Sequence, residues 1–249
     1  GALVTHSLGG FLAQADAAAG KAPTSASPAP AITQVPDPTP PAPLSVIEAR
    51  NFDANLSTVE GLSQNQLKQH LGLYQNYVKK INEIQSALRT YQPDVAKANA
   101  TYDPFRELHV EQTFALNGVV LHELYFENLG GTRMAPSESL KDAFSRAFGS
   151  WADYTTHLKA LGKSMRGWAI TALNLRDGQI HHYGLDSHNQ LVPIHVVPLL
   201  VLDVFEHAYM IDFGTNRGAY LDAFLANVNW EPVEKRLEAA RRHPQLASR

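Results

Sequence analysis

Val196-Val197-Pro198-Leu199-Leu200-Val201-Leu202-Asp203-Val204-Phe205-Glu206-His207-Ala208-Tyr209 is the stretch that organises the reading of this chain. The apolar run 196–202 reads as a buried strand, and a helix is predicted over 204–213, with Tyr209, Ile211 and Phe213 as its apolar positions. Asp203 then closes the strand and His207 follows one helical turn later, so both side chains can reach one spot. A carboxylate oxygen and an imidazole nitrogen together suit a metal of borderline hardness. Alone, such a pair is more often a surface pair or a carboxylate at a helix start.

Upstream of this stretch the pattern is helical. Ser63 reads as the N-cap of a helix carrying Leu67, His70, Leu71, Tyr74, Tyr77, Val78 and Ile81 at helical spacing. A second helical stretch, about 83–98, is expected to fold back as a hairpin. A long helix from Pro104 to Asn128 stops at Gly130-Gly131. Ser137 and Ser150 open two further helices, the second ending at Gly162. Three strands are then predicted at 168–175, 179–183 and 195–202, with Asp177-Gly178 turning between the first two. Helices follow at about 204–213, 216–227 and 231–243. Helices, a small sheet, then helices make an α+β chain. A helical-hairpin domain over 47–131 is expected to pack on a C-terminal domain, 132–249, built on a small three-stranded antiparallel sheet with surrounding helices.

The N-terminal fifth is different. Residues 22–45 hold eight of the 15 prolines, mixed with Ala, Ser and Thr, which reads as an unpacked linker over 21–46. Residues 1–20 look like the remnant of a secretory leader: an apolar stretch through Phe11-Leu12-Ala13, then the small-x-small site Ala15-Asp16-Ala17. Export to a periplasm or cell envelope is the expectation.

Composition excludes several classes. The chain has 249 residues and no cysteine, so disulfides, zinc-thiolate sites, iron–sulfur clusters and thiol nucleophiles are all ruled out. Any metal must sit on His, Asp or Glu. A formal net charge of -3 without a basic stripe offers nothing to nucleic acid. No run of 18 apolar residues is present to span a membrane.

Two histidines share helix faces with aromatic residues: His70 with Tyr74 and Tyr77, and His122 with Phe114, Tyr125 and Phe126. A histidine on such a face is more often a core residue with its nitrogens satisfied than a ligand. The segment Asp203 to Tyr209 nevertheless resembles the metal-binding signature of the iron/manganese superoxide dismutases, with Phe205 where that family usually has Trp. The resemblance extends through Arg166-Gly167-Trp168-Ala169, Asn216-Arg217-Gly218-Ala219-Tyr220 and Val228-Asn229-Trp230, and covers roughly residues 47–240. Gln69-His70-Leu71-Gly72 through Tyr77-Val78 to Asn82 resembles the helix of the first ligand, though Leu73 and Tyr74 stand where a His pair is common. Asn117 to Leu129 resembles the helix of the second ligand.

The resemblance implies that His70, His122, Asp203 and His207 hold one iron or manganese ion per subunit, with a slight lean to iron. It implies dismutation of superoxide to O₂ and hydrogen peroxide. Tyr77 matches the gateway tyrosine of the substrate channel. The group that hydrogen-bonds metal-held solvent must come from the sheet, because the helix position is Gly118; His188 is favoured over Gln190. Arg217 matches an arginine at the mouth of the funnel, able to steer an anion. Glu206 and Tyr209 match dimer-interface positions, so a homodimer is expected, possibly a tetramer. Two other readings carry different chemistry: a non-redox metal hydrolase using the same His₃Asp set, and a relative of the fold that binds metal without dismutase activity.

Overall fold

The computed structural model describes residues 45–131 and 135–247. The expected leader and most of the Pro-rich linker lie outside the described residues. A short helix, α1 (Asp53–Leu56), precedes the two longest elements, α2 (Gln64–Thr90) and α3 (Pro104–Glu127). Ser63 caps α2 by accepting the Gln66 amide at 3.0 Å. Asp103 caps α3 by accepting from Arg106 at 3.0 Å, with Pro104 in the first turn, where its missing N–H goes unneeded.

The second helical stretch predicted at 83–98 does not exist as a separate element. α2 runs on to Thr90 because Ile81, Ile84 and Leu88 keep the apolar face in phase, with no Gly or Pro among them. Pro93 then disfavours helix for the residue before it, and residues 91–103 form the connection. The hairpin is therefore α2 against α3, paired along their buried faces.

α4 (Glu138–Phe148) and α5 (Trp151–Ser164) follow, capped by Ser137 and Ser150 as the sequence predicts. α5 passes Gly162, against which Leu221 packs, and ends two residues later. The sheet comprises β1 (Trp168–Asn174), β2 (Ile180–Leu185) and β3 (Val196–Asp203), all antiparallel, in the order β2-β1-β3. β3 is an edge strand, which is where Pro198 is tolerated; the ladder to β1 shifts register beside it, between Thr171 and Ala172. Trp168 pairs with Asp203, so the first residue of the central strand lies next to the last residue of the edge strand.

The helix expected over 204–213 is broken. Phe205 is extended, Glu206–Ala208 is a single 3₁₀ turn, and α6 (Met210–Phe213) begins afresh after Tyr209, whose φ of -147° is far from helical. α7 (Arg217–Ala226), α8 (Trp230–Arg241) and α9 (Pro244–Ala247) complete the chain. α3 and α8 pack on β3, while α5 packs on β1 and α7. One core runs through both halves, from Tyr74, Tyr125 and Phe126 to Trp168, Leu200 and Leu202, all 0% exposed.

One half-buried histidine packed against this core gives it a pH dependence. His182 on β2 stacks on Phe148 at 4.2 Å and lies 5.3 Å from Tyr154, and its Nε2 is buried with no partner among the described residues. Burial, with the neighbouring His157 charge, lowers its pKa to about 4. The unfolded chain therefore takes up this proton first, below about pH 6.5. Stability is lost as pH falls from there towards 4. After allowance for partial exposure, about 2 kcal/mol should disappear between pH 7 and 4.5. Urea unfolding of the parent and of His182→Leu at both pH values measures this as a double difference. Equal losses in the two proteins would refute it.

Candidate metal centre

His70, His122, Asp203 and His207 converge. One ligand atom from each lies within 4.8 Å of the other three. α2 supplies His70, α3 supplies His122, the end of β3 supplies Asp203 and the 3₁₀ turn supplies His207. Asp203 Oδ2 sits at the centre, 3.1 Å from His70 Nε2, 3.1 Å from His207 Nε2 and 3.6 Å from His122 Nε2. The four-residue spacing of Asp203 and His207 is thus realised by a strand end and a 3₁₀ turn rather than by one α-helix.

Three of the four are held by further bonds, while the Nδ1 of His70 is buried with no partner among the described residues. Asp203 Oδ1 accepts the Phe205 amide at 2.9 Å, which turns Oδ2 inward. The Tyr220 hydroxyl donates to the Asp203 carbonyl at 2.6 Å and lies 3.2 Å from the Tyr125 hydroxyl. His122 Nδ1 donates to the Gly118 carbonyl at 2.6 Å, which places the ring's proton on Nδ1 and the lone pair on Nε2. Gln66, fully buried on α2, donates to the His207 carbonyl at 2.6 Å and accepts from the Ile211 amide at 3.1 Å.

Electrostatics agree with a cation site. Burial alone would raise the Asp203 pKa, but the His207 charge and the hydrogen bonds from His207 and His70 hold it well below the usual carboxylate range. Burial lowers His70 and, with the His70 charge added, lowers His122 further, so both imidazoles are neutral donors. His122 Nε2 has no hydrogen-bond partner among the described residues and faces an anionic oxygen with its lone pair. Two lone pairs opposed in a dry interior repel unless a cation stands between them. Three imidazole nitrogens and one carboxylate oxygen suit a first-row divalent or trivalent ion.

Around the ligands, His188 is buried and bonded at both nitrogens. The Trp168 indole donates to its Nδ1 at 3.0 Å, and its Nε2 lies 2.9 Å from the Tyr77 hydroxyl. An indole only donates, so Nδ1 is an acceptor and the proton of neutral His188 is on Nε2, which donates to Tyr77. Burial takes the His188 pKa down to about 4, and burial with the nearby Asp203 charge takes Tyr77 up to about 12. Gln190 is exposed on the following loop, away from this contact. The Tyr77 ring lies flat over Gly118, where any Cβ would come within 3.0 Å of it. Phe205 stacks on His207 at 5.1 Å. His207 is the most open ligand, its side chain 26% exposed against 0–1% for the others.

The sequence places the four ligands, Tyr77 and His188 together, and the structure does the same. Arg217 stands apart. Its guanidinium donates to the Met165 carbonyl at the end of α5 at 2.7 Å and to the Tyr209 hydroxyl at 3.0 Å. Glu206 lies beside His207 in the 3₁₀ turn, and Tyr209 is buried against Tyr220. Gln66, Trp168 and Tyr220 have no role in the sequence reading. Gln66 had a signal: it lies one turn before His70 on the same buried face, and a buried amide requires partners.

Comparison with known proteins agrees with this geometry. Residues 136–236 match the C-terminal domain of iron/manganese superoxide dismutases. The chain is 43% identical over 185 residues to proteins named superoxide dismutase [Fe] from Aquifex aeolicus and Aquifex pyrophilus, which covers 73% of this chain and 87% of each relative. It is 32% identical over 197 residues to the superoxide dismutase [Fe] of Cupriavidus metallidurans, covering 78% of this chain and 97% of that protein. With this similarity across both halves and a His₃Asp cluster at their junction, the chain belongs to the iron/manganese superoxide dismutase family.

Proposed function

We propose that this protein is a superoxide dismutase that turns two superoxide ions and two protons into O₂ and hydrogen peroxide. The observation that carries the reading is the inward convergence of His70, His122, Asp203 and His207, with the unpartnered Nε2 of His122 facing Asp203. The same four residues would hold one iron or manganese ion. Iron is favoured because the relatives at 43% identity are named as iron enzymes. When bound, the ion supplies the electron exchange, accepting an electron from one superoxide and returning one to the next.

The chain's own residues supply positioning and protons. Tyr77 Oη accepts its hydrogen bond from His188 Nε2, which leaves the phenol's proton free to be donated to the reduced oxygen species. Its raised pKa keeps that proton in place at neutral pH until a strong base arrives. Trp168 fixes the tautomer that makes this possible. The Phe205, Phe114 and Trp168 rings pack around His188 and keep bulk water from it. Arg217 lies apart from the cluster, so its part would be to steer the anion by its positive charge; its guanidinium is held by the Met165 carbonyl and the Tyr209 hydroxyl.

Glu206 beside His207, together with the exposed Met210 and Ile211, supports a homodimer formed over this face. The apolar leader-like start and the Pro-rich stretch support export to a periplasm or envelope. No helix among the described residues is long and apolar enough to cross a membrane.

The test is metal content by mass spectrometry, with superoxide consumption measured on the same sample and on His207→Ala. Near-stoichiometric iron or manganese in the parent is expected, with metal and turnover both lost in the variant. Zinc, or a redox metal without superoxide consumption, would refute the proposal.

A further inference from the structure

We propose that Gln66 is a positioning residue that sets the direction of His207 as a ligand by occupying the hydrogen bond a regular helix would make between residues 207 and 211. The inference rests on the reading that His70, His122, Asp203 and His207 hold a metal. In an α-helix the amide of residue 211 donates to the carbonyl of residue 207. Here that pair is split. The Ile211 amide donates to Gln66 Oε1 at 3.1 Å, and the His207 carbonyl accepts from Gln66 Nε2 at 2.6 Å. A carboxamide carries one donor and one acceptor side by side, so a single side chain replaces both halves of the missing bond.

The surrounding backbone follows from this wedge. The amides of Ala208 and Tyr209 turn back three residues, to Phe205 and Glu206, giving the 3₁₀ turn. Asp212 and Phe213 start a new ladder on the Tyr209 carbonyl. Tyr209 absorbs the change with φ -147° and ψ -17°. The apolar pattern of 204–213 predicts one continuous helix, so the break comes from outside the segment, from a residue 141 positions away. With the wedge in place, His207 Nε2 lies 3.1 Å from Asp203 Oδ2. Without it, Tyr209 can relax to helical values, the 207–211 bond can close, and the imidazole rotates with its backbone away from the carboxylate. Gln66 is 0% exposed and lies one turn before His70, so the same helix that supplies one ligand also holds the turn of another.

The test is Gln66→Met, which keeps the length and volume of the side chain and removes both hydrogen-bonding groups. Metal-free protein is titrated with Mn²⁺ and with Co²⁺, whose visible absorption reports coordination geometry, and metal-free thermal stability is measured alongside. Gln66→Asn, one methylene shorter, is the second variant should the first not fold. The expected result is metal binding roughly 10–100-fold weaker, the range for residues that orient metal ligands, with an altered Co²⁺ spectrum and a metal-free melting temperature close to the parent's. Unchanged affinity and spectrum would overturn the proposal. So would a loss of affinity matched by an equal loss of metal-free stability, which would make Gln66 a core residue and nothing more. If His207→Ala retained full metal, the ligand assignment itself would fail, an outcome separable from any result with Gln66.

Discussion

Asp203→Asn is expected to leave the fold intact, empty the centre of metal and abolish superoxide consumption. The substitution conserves volume, and the remaining amide oxygen can still accept from the Phe205 N–H that orients the native carboxylate. The change falls on Oδ2, the one atom that all three imidazoles face. An amide nitrogen there donates where the carboxylate accepted, so it can no longer accept from His70 and His207, and its N–H dipole turns a positive end towards the ion's position. The site also loses its only negative charge, and three neutral nitrogens then hold a multivalent cation with no counter-charge. The loss in metal affinity should exceed the roughly 100-fold upper range for groups that only orient ligands. Metal analysis after dialysis, circular dichroism and superoxide consumption on one preparation read all three effects. Stoichiometric metal in Asp203→Asn would sink the assignment of Asp203 as a ligand.

The largest effect on stability is expected at Glu127→Ala. Glu127 closes α3 and receives two arginines: Arg236 from α8 at 2.6 Å, and Arg50 from the segment before α1. Arg236 is the less exposed partner, its side chain 16% exposed, and it also bonds the Leu199 carbonyl on β3 at 2.9 Å and the Asn128 side chain. One guanidinium therefore joins α8, β3 and the end of α3. Burial lowers the Arg236 pKa, and the charge and hydrogen bond of Glu127 offset part of that cost. Removing one partner of a buried pair destabilises by about 3–5 kcal/mol because the other charge is stranded. This pair is only partly buried, with Glu127 25% exposed, and the bonds to Leu199 and Asn128 persist, which puts this case below that range, at about 2 kcal/mol, with a fall in Tm of roughly 4–8 °C. Glu231→Ala, which breaks an exposed pair with Lys235, should shift Tm by no more than about 2 °C. Replacing both partners, Glu127→Leu with Arg236→Met, should recover most of the loss. A similar small shift for Glu127→Ala and Glu231→Ala would mean that the network carries no special weight.

The candidate ligand set was legible through the family resemblance, since each local pattern alone reads as an ordinary core or surface residue, and the strand before Asp203 fixes where the carboxylate lies. The caps Ser63, Ser137 and Ser150 were legible from their local pattern, and the antiparallel sheet followed from the Asp177-Gly178 turn. Two elements were not. The extent of α2 was missed because continued periodicity past Ile81 does not distinguish one long helix from two. The break at Tyr209 was missed because its cause, Gln66, is distant in the chain and becomes a neighbour only after folding. The bond from Trp168 to His188 was hidden likewise. The resemblance groups Tyr77 with His188, but Trp168 reaches it only through the start of β1, and no spacing in the sequence joins the three.

The dispersal of the ligands along the chain orders events in time. His70 and His122 lie in the first helical pair, while the oxygen they face belongs to Asp203, 133 positions after His70. At roughly 5–20 residues added per second, translation takes on the order of ten seconds to pass from one to the other. Through that interval the nascent chain presents two imidazoles without their counter-charge. Stable ion capture must therefore wait for the third strand, which makes loading one of the last steps in the protein's biogenesis.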